Sequence, residues 1–317
     1  MERRRIEQRI LYRSFAPKRW DFIKSHICQG GRKLKRKMKI ILTYILLSVI
    51  FCSSCGDKSR SVAVNTSYEP PEESFCEITA LDLDTGEEGA KEVAFSEEDG
   101  VCDITEGGTY VLKGDYEGQV RIDAKEYPVH LILENARVKS YHGPALHILS
   151  ASKVVLTAKE GTENEFQDSP DYGQAGDANG CIYSETDVSI NGTGSLLIYG
   201  NKKSALSTKG CVKVLEGKIG VQSKKDGIRA NDGIFLSPEE LEVKSEGNGI
   251  VTRKSGKDGK GFLEACGGKI SVVAGKNAVL SAGDLFIRDC SLTLKGILSD
   301  YSCEGELKIQ KGCIANE

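Results

Sequence analysis

Oxygen-bearing side chains near the middle of the chain have the types and spacing of a calcium site. Two carboxylates, Asp226 and Asp232, flank a short segment that also contains Asn231, and Asn248 follows one repeat later. Calcium binds about six to eight oxygen atoms from carboxylates, amides and main-chain carbonyls. These four residues therefore predict a calcium site, although their spacing is not that of an EF-hand loop. The alternative is a hydrogen-bonded ladder through Asp226, Asn248 and Asn277 that holds no metal.

Basic residues recur beside the same segments and indicate a surface for an anionic ligand. Equivalent positions of stacked repeats would place them in a stripe with a spacing of about 5 Å. Such a stripe could pair with the negative charges of an acidic polymer, and the alternative is an ordinary solvated face. The predicted ligand-binding residues are Lys202, Lys203, Lys224, Lys225, Arg229, Arg253 and Lys254.

Catalysis has weaker support in the sequence. Arg229 lies near the predicted calcium turn and could act as the base of a polysaccharide lyase, but a solvated side chain is the simpler interpretation. A glycoside hydrolase needs paired carboxylates, and Asp187 and Asp226 are not obviously on one face. The histidines have no serine or cysteine partner in the sequence. We therefore predict a non-catalytic binding protein, with a pectate-lyase-type enzyme or a structural adhesin with a protein partner as alternatives.

These residues lie within a regular repeat of a polar, a small and an aliphatic residue. The repeat occurs at Ser204-Ala205-Leu206, Asp226-Gly227-Ile228, Asn248-Gly249-Ile250 and Asn277-Ala278-Val279, in steps of 22, 22 and 29 residues. Several short strands in each repeat are typical of a solenoid. We predict an all-β fold, a right-handed parallel β-helix with three short strands in each coil of about 22 residues. Leu206, Ile228, Ile250 and Val279 should then form one inward ladder.

Short alternating runs supply the strands of this repeat, and no segment shows a sustained helical period. Two insertions, Glu160 to Asn179 and Ser255 to Gly261, should form loops on one face, where solenoids often bind ligands. The predicted strand segments are 129–133, 154–156, 188–190, 196–198, 212–214, 219–221, 234–236, 241–243, 270–272, 285–287 and 292–294.

The N-terminal region predicts export. A basic segment that ends at Lys39 is followed by the apolar run Ile40 to Phe51 and then by Cys52-Ser53-Ser54-Cys55. This order is typical of a signal peptide and resembles a bacterial lipoprotein, with Cys55 as the lipidated residue. The alternative is an uncleaved membrane anchor. The predicted regions are 1–37, an upstream extension or mis-start; 38–54, the signal peptide; 55–100, an acidic flexible tether; and 101–317, the β-helix.

Charge and cysteine usage agree with a protein that is exported and membrane-anchored, in the periplasm or at the cell surface. Without residues 1–54 the chain has 29 basic and 43 acidic residues, which argues against nucleic acid as a partner. Eight cysteines follow Cys55, and none lies in a Cys-x-x-Cys pair. Most are predicted to be small buried hydrophobic residues, and Cys76 with Cys102 is the best candidate for a disulfide.

The ordered motifs resemble those of bacterial secreted carbohydrate-binding proteins with a right-handed parallel β-helix fold. That family is related in fold to pectate lyases and binds calcium and polygalacturonate-type glycans, so the resemblance implies both ligands here. Its members tend to repeat Asp-Gly-Ile in several coils, whereas this chain has the aspartate only at Asp226. The matching segments are Ile104 to Gly114, Gly118 to Asp123, Glu160 to Asn164, Cys181 to Ser184, Asp187 to Leu196, and Asp226-Gly227-Ile228 with Asn231-Asp232.

Overall fold

The structure, a computed structural model, describes residues 77–93, 100–173, 176–255 and 257–315. All of them belong to the compact unit Val64–Glu317. The predicted signal peptide, Cys55 and residues 55–76 of the predicted tether lie outside the described residues. Within the described ranges, no helix has both the length and the apolar character that a membrane span requires.

Nearly all regular structure in the described ranges is β-strand, with only two short 3-10 turns, Leu81–Leu83 and Lys257–Gly259. The first strands are β1 (Lys91–Glu92), β2 (Val101–Ile104), β3 (Gly108–Glu117), β4 (Gln119–Asp123), β5 (Val129–Lys139), β6 (Leu146–Ser150), β7 (Val154–Ala158), β8 (Glu163–Gln167), β9 (Gly180–Ser184), β10 (Val188–Asn191), β11 (Ser195–Gly200) and β12 (Ser204–Thr208). The remaining strands are β13 (Cys211–Val214), β14 (Lys218–Ser223), β15 (Ile228–Ala230), β16 (Gly233–Leu236), β17 (Glu240–Ser245), β18 (Ile250–Thr252), β19 (Phe262–Ala265), β20 (Lys269–Ala274), β21 (Asn277–Ser281), β22 (Leu285–Ile287), β23 (Ser291–Gly296), β24 (Ser299–Cys303) and β25 (Leu307–Ile309).

Parallel pairing arranges these strands in two large sheets. The nine-stranded sheet has the order β2-β4-β6-β9-β12-β15-β18-β21-β24. The sixteen-stranded sheet has two arms that meet at β5, because the first half of that strand pairs with β7 and its end pairs with β8. The β7 arm continues through β10, β13, β16, β19, β22 and β25, and the β8 arm continues through β11, β14, β17, β20 and β23. The remaining two of the sixteen strands precede β5, with β3 paired to β5 and β1 paired to β3.

From β6 onward the chain adds one strand to the nine-stranded sheet, one to the β7 arm and one to the β8 arm, and then repeats. We call each such set of three strands a coil. Each strand pairs with the strand three positions later, so neighbouring coils lie one strand spacing apart, about 4.8 Å. The side chains that point inward from all three strand rows form the hydrophobic core.

The predicted inward ladder is present in the nine-stranded sheet. Leu206 pairs in register with Ile228, Ile228 with Ile250, and Ile250 with Val279. All four side chains are at most 2% exposed. The regular repeat of the sequence is therefore the spacing of stacked coils, as predicted.

The eleven strand segments predicted from alternation all lie within observed strands. The prediction of one long loop from Glu160 to Asn179 is wrong in part, because Glu163–Gln167 is β8 and only the following residues form a loop. The cause is an inward polar residue. Asn164 is 1% exposed, and its Oδ1 accepts a hydrogen bond of 2.9 Å from the main-chain N–H of Ala136. A buried asparagine removed the alternation that marks a strand.

The predicted flexible tether also needs correction over the residues that the structure describes. Asp82 is completely buried against the outer face of the β7 arm and accepts hydrogen bonds from Ser189 Oγ at 2.5 Å and Lys153 Nζ at 2.7 Å. Lys213 Nζ lies 3.3 Å from the same carboxylate. Burial alone would raise the pKa of Asp82, but these partners lower it to about 2. The segment around Asp82 is thus fixed by a buried ion pair.

Cysteines mostly have the predicted role of small core residues. Cys102, Cys181 and Cys313 are buried in the core, and all seven cysteines of the described ranges, Cys290 and Cys313 included, are free thiols in this structure. Cys76, the predicted disulfide partner of Cys102, lies outside the described residues.

Candidate functional site

The polar members of the repeat form a hydrogen-bonded ladder at the corner before the nine-stranded sheet. Asn248 donates to Asp226 Oδ1 twice, from its main-chain N–H at 3.0 Å and from Nδ2 at 2.9 Å. Asn277 Nδ2 donates to Asn248 Oδ1 at 2.9 Å, and Ser299 Oγ donates to Asn277 Oδ1 at 2.7 Å. This is the arrangement that the sequence left as the alternative to calcium.

The four predicted calcium ligands do not fit a resident metal ion, because cationic side chains hold both carboxylates. Arg253 Nη2 lies 2.8 Å from Asp226 Oδ2. Asp232 pairs with Lys254 Nζ at 2.5 Å and with Lys260 Nζ at 2.8 Å. Burial would raise the pKa of each carboxyl, but the hydrogen bonds from these partners, and from Asn248 in the case of Asp226, lower it overall.

The other two predicted ligands do not complete a site. Asn248 belongs to the ladder, and the main chain of Asn231 bonds with its stacked neighbours Thr208 and Lys254. No group of three or more histidine, cysteine, aspartate or glutamate side chains in the described ranges is placed to hold a metal ion. A metal ion at this corner would have to displace the cations and amide groups that these oxygens already bind.

The predicted basic stripe is separated into two corners, so the prediction of one stripe is wrong. Exposed Lys202 and its neighbour Lys203 precede β12, and Lys225 stacks on Lys203 through a main-chain hydrogen bond of 3.2 Å. The next coil has Gly247 at this position, bonded to Lys225. Arg253 and Lys254 instead follow β18 and so lie at the C-terminal ends of the strands, whereas Lys203 and Lys225 lie before their N-terminal ends. The sequence prediction matched Lys224 with Arg253 because they are 29 residues apart, the length of the longer repeat. The insertion that lengthens this repeat begins only after Arg253, so the two residues are not at equivalent positions.

Several of these cations already have partners. Lys224 forms a salt bridge with Glu246, and Lys203 Nζ lies 5.6 Å from the centre of the Tyr172 ring. Arg229 differs from them. It is half-buried on the outer face of β15, and no carboxylate among the described residues lies within salt-bridge distance of it. Burial, and then the charge of Arg253, lower its pKa.

Arg229 belongs to a row of outward side chains that the sequence interpretation missed. Successive coils of the nine-stranded sheet place Arg121, His147, Tyr183, Ser207 and Arg229 next to one another in register. We call this set the outer row. Each member directly follows a residue of the inward ladder position, so the register of the repeat contained the signal. The types of the five residues share no motif, and for that reason they were not recognised.

A groove of about 540 Å³ runs beside the first part of the outer row. The loop after β8 provides one side of it. The rings of His147 and Tyr183 are 5.6 Å apart at an angle of 59°. The lining residues are Gln119, Arg121, His142, His147, Leu149, Tyr172, Gly176, Asp177, Ala178, Tyr183 and Glu185.

The polar groups of the groove are held in defined states. Tyr183 Oη donates a 2.6 Å hydrogen bond to Glu185, which also pairs with Lys209 at 2.7 Å. Burial and this carboxylate raise the pKa of Tyr183, so it remains a phenol. Burial lowers the pKa of His147 despite the nearby Glu185, which favours the neutral ring. The groove therefore offers the half-buried neutral imidazole of His147 and hydrogen-bonding oxygens, whereas the Tyr183 ring is only 2% exposed.

The stacked parallel strands and the groove on their outer face define an all-β repeat protein of polysaccharide lyase-like architecture. A solved polysaccharide lyase-like protein from C. thermocellum, a gadolinium derivative, has the same fold, with a TM-score of 0.67 and 24% identity. The match covers 72% of this chain and 98% of that chain. A family model described as carbohydrate-binding domain-containing protein matches residues 98–313, and the chain belongs to this family.

A relative from Acetivibrio thermocellus carries the same description. It is 27% identical over 284 residues, which covers 87% of this chain and 97% of the relative. The resemblance found in the sequence is thus confirmed for the family of carbohydrate-binding domain-containing proteins, and the solved polysaccharide lyase-like structure agrees with it in fold.

Proposed function

We propose that the protein binds an acidic polysaccharide along the outer row and does not cleave it. The observation that carries this proposal is Arg229, a half-buried guanidinium that faces outward without a carboxylate partner among the described residues. A buried charge without a partner is costly, and a guanidinium binds a carboxylate through two parallel hydrogen bonds. A sugar carboxylate would supply that missing partner.

The geometry of the fold supports a polymeric ligand. Uronate polymers such as polygalacturonate carry a carboxylate on every sugar, at a repeat of roughly 4–5 Å, close to the coil spacing of about 4.8 Å. The half-buried ring of His147 offers apolar surface to a sugar, and Tyr183, only 2% exposed, supports that ring from the next coil. Lys203 and Lys225, stacked at the neighbouring corner, extend the positive charge at one edge.

The architecture and cellular location complete the proposal. The three-strand coils form one domain, residues 101–317, and wind as a single right-handed parallel β-helix, the hand that parallel crossovers almost always take. The chain is exported and anchored through a lipid on Cys55, in the periplasm or at the cell surface. Calcium has no fitted protein site at Asp226, so any calcium contribution would come through the glycan carboxylates.

A lyase is the second candidate, because a neutral imidazole and a phenol lie together in the groove. β-Elimination from a uronate needs a base and an acid near a cation that neutralises the carboxylate. His147, Tyr183 and Arg229 are of the right types for these roles. We favour binding alone because the Tyr183 hydroxyl is already committed to Glu185 at 2.6 Å.

One experiment separates the two candidates. The purified chain is titrated with polygalacturonate and with a neutral glucan, each with calcium and with a chelator, while absorbance of the unsaturated product is followed. We expect salt-sensitive binding of polygalacturonate without product. Equal binding of the neutral glucan would overturn the acidic specificity, and accumulating product would establish the lyase.

A further inference from the structure

Three successive coils at the C-terminal end each carry a cysteine at the same corner. Cys266 follows β19, Cys290 follows β22, and Cys313 follows β25. Cys266 and Cys313 are buried, and Cys290 is half-buried against the core. This cluster lies at the corner between the β7 arm and the β8 arm, away from the outer row of the nine-stranded sheet. Glycan binding does not use it.

Cys290 and Cys313 are direct neighbours. In addition to burial, the Cys313 thiol is close enough to raise the pKa of the Cys290 thiol, whose Sγ lies 3.8 Å from the carbonyl oxygen of Ala265. The main chain holds this register independently. Leu292 N–H donates to the carbonyl of Cys313 at 2.7 Å, and Ala315 N–H donates to the carbonyl of Leu292 at 2.9 Å. The two cysteines are therefore brought together by pairing that does not depend on their side chains.

The coil that Cys313 closes is the last one described, and it is the least buried. No described coil stacks above it, and residues at its entry are widely exposed, with Ile297 at 79% and Leu298 at 69%. The outermost repeat of a solenoid has only one neighbour and therefore frays first. A covalent link from Cys313 back to the preceding coil would oppose that fraying.

We propose that Cys290 and Cys313 form a disulfide that fastens the last coil to the coil below it. The oxidant is a disulfide, either a small-molecule disulfide or a disulfide-bearing oxidoreductase. One cysteine thiolate attacks it, releases one thiol and forms a mixed disulfide. The other cysteine then displaces the second thiol. The balance is two protein thiols and one external disulfide converted to one protein disulfide and two external thiols.

The surroundings of the pair set when the bond forms. Burial, and then the neighbouring Cys313, raise the pKa of the Cys290 thiol, which keeps it protonated and unreactive in the closed coil. Exchange is therefore fastest while the last coil is still open, and the finished bond is protected from reductant once the coil has packed. Cys266, the third thiol of the corner, is the competing partner for Cys290.

The test uses the purified chain refolded in a mixture of oxidised and reduced glutathione. Free thiols are alkylated without reduction, and peptides are mapped by mass spectrometry. We expect one cross-linked peptide that joins Cys290 to Cys313. Alkylation of both thiols in the refolded wild type, or a cross-link of Cys290 to Cys266, would overturn the proposal. This mapping needs no variant and is informative even if a variant fails to fold.

Thermal unfolding provides the second measurement. A reductant should lower the Tm of the wild type by about 5–10 °C and should not change the Tm of the Cys290→Ser variant. Cys211→Ser, a half-buried cysteine at a distant corner, is the matched control and should respond to reductant as the wild type does. An equal response of Cys290→Ser and the wild type would contradict the assignment. Polygalacturonate binding should be the same for all three proteins, so failure of this proposal is distinguishable from failure of the proposed function.

Discussion

The guanidinium of Arg253 binds Asp226, with 2.8 Å between Nη2 and Oδ2. Asp226 precedes β15 and Arg253 follows β18, so they flank opposite ends of two neighbouring strands in adjacent coils. Asn248 donates two hydrogen bonds to the other oxygen of the same carboxylate, Oδ1. The aspartate of the repeat therefore serves as a buried acceptor that joins two coils. Because Arg253 and Asn248 bind both oxygens of this carboxylate, the nearby Arg229 forms no salt bridge with it.

This relationship predicts the effect of Asp226→Asn. The variant leaves Arg253 without its anionic partner and disturbs the ladder, so we expect it to be less stable by about 1–3 kcal/mol. Urea unfolding measures this loss. Calcium should change the Tm of the wild type and of the variant equally, because both oxygens of the carboxylate already accept hydrogen bonds from Asn248 and Arg253. A calcium-dependent rise in Tm that occurs only in the wild type would restore the calcium site.

The buried ion pair at Asp82 predicts a loss of stability in acid. Its pKa falls from 3.8 to about 2 on folding, which corresponds to about 2–3 kcal/mol. Because the folded pKa is the lower one, this stabilisation is present above pH 4 and disappears as the pH falls from about 4 to 2. Urea unfolding of the wild type and Asp82→Asn over this range is the measurement. Parallel pH profiles of the two proteins would contradict the assignment.

The inward ladder predicts a strong position effect at Ile228. Ile228→Asp buries a carboxylate with no cation in the core and should lower the free energy of unfolding by about 3–5 kcal/mol. The control Ile228→Val removes one methyl group and should cost about 0.5–1.5 kcal/mol. Chemical denaturation gives both values. If the aspartate variant were as stable as the valine variant, Ile228 would not be in the core.

The outer row predicts the residues that bind glycan. Arg229→Gln removes the charge but retains a hydrogen-bonding side chain, and it should weaken polygalacturonate binding about tenfold or more. The double variant Lys203→Glu with Lys225→Glu should also weaken binding and reduce its dependence on salt. Isothermal titration with polymers of defined length measures both effects.

The matched control for glycan binding is Lys218→Gln on the β8 arm. Lys218 is exposed and lies 3.4 Å from Glu239, far along the coil from the outer row. We expect its affinity for polygalacturonate to equal that of the wild type. If Lys218→Gln were as weak as Arg229→Gln, binding would reflect net charge alone and the outer row would lose its role.

The lipid anchor predicts a labelling result. Cells that express the wild type and are fed a palmitate analogue should yield labelled protein, and cells that express Cys55→Ser should not. Cys102→Ser, which changes a buried core thiol, is the control and should label normally. Equal labelling of the wild type and Cys55→Ser would rule out Cys55 as the lipidated residue.

The sequence by itself determined the repeat. Inward positions of a solenoid must be small or aliphatic in every coil, because each contacts the equivalent residue of the coil below. That requirement produced the regular Leu206, Ile228, Ile250 and Val279, and it was enough to predict parallel stacking and the core. Strand β8 was not predicted, because its inward residue is the polar Asn164. The amide of Asn164 forms hydrogen bonds with main-chain groups of Ala136 and Ser195, so a polar residue is tolerated in the core although its type indicates a loop.

Only the tertiary structure decided the candidate site. Residues of the outer row belong to different coils and are far apart in the sequence, so no local motif connects Arg121, His147, Tyr183 and Arg229. The salt-bridge partners at the predicted calcium site likewise come from distant parts of the sequence. Asp226 and Asp232 have the chemistry of metal ligands, and cations from other coils made both into salt-bridge acceptors. Arg229 has no carboxylate within salt-bridge distance among the residues that the structure describes. Local composition specifies which groups are available, and the stacking of distant segments specifies which of them meet.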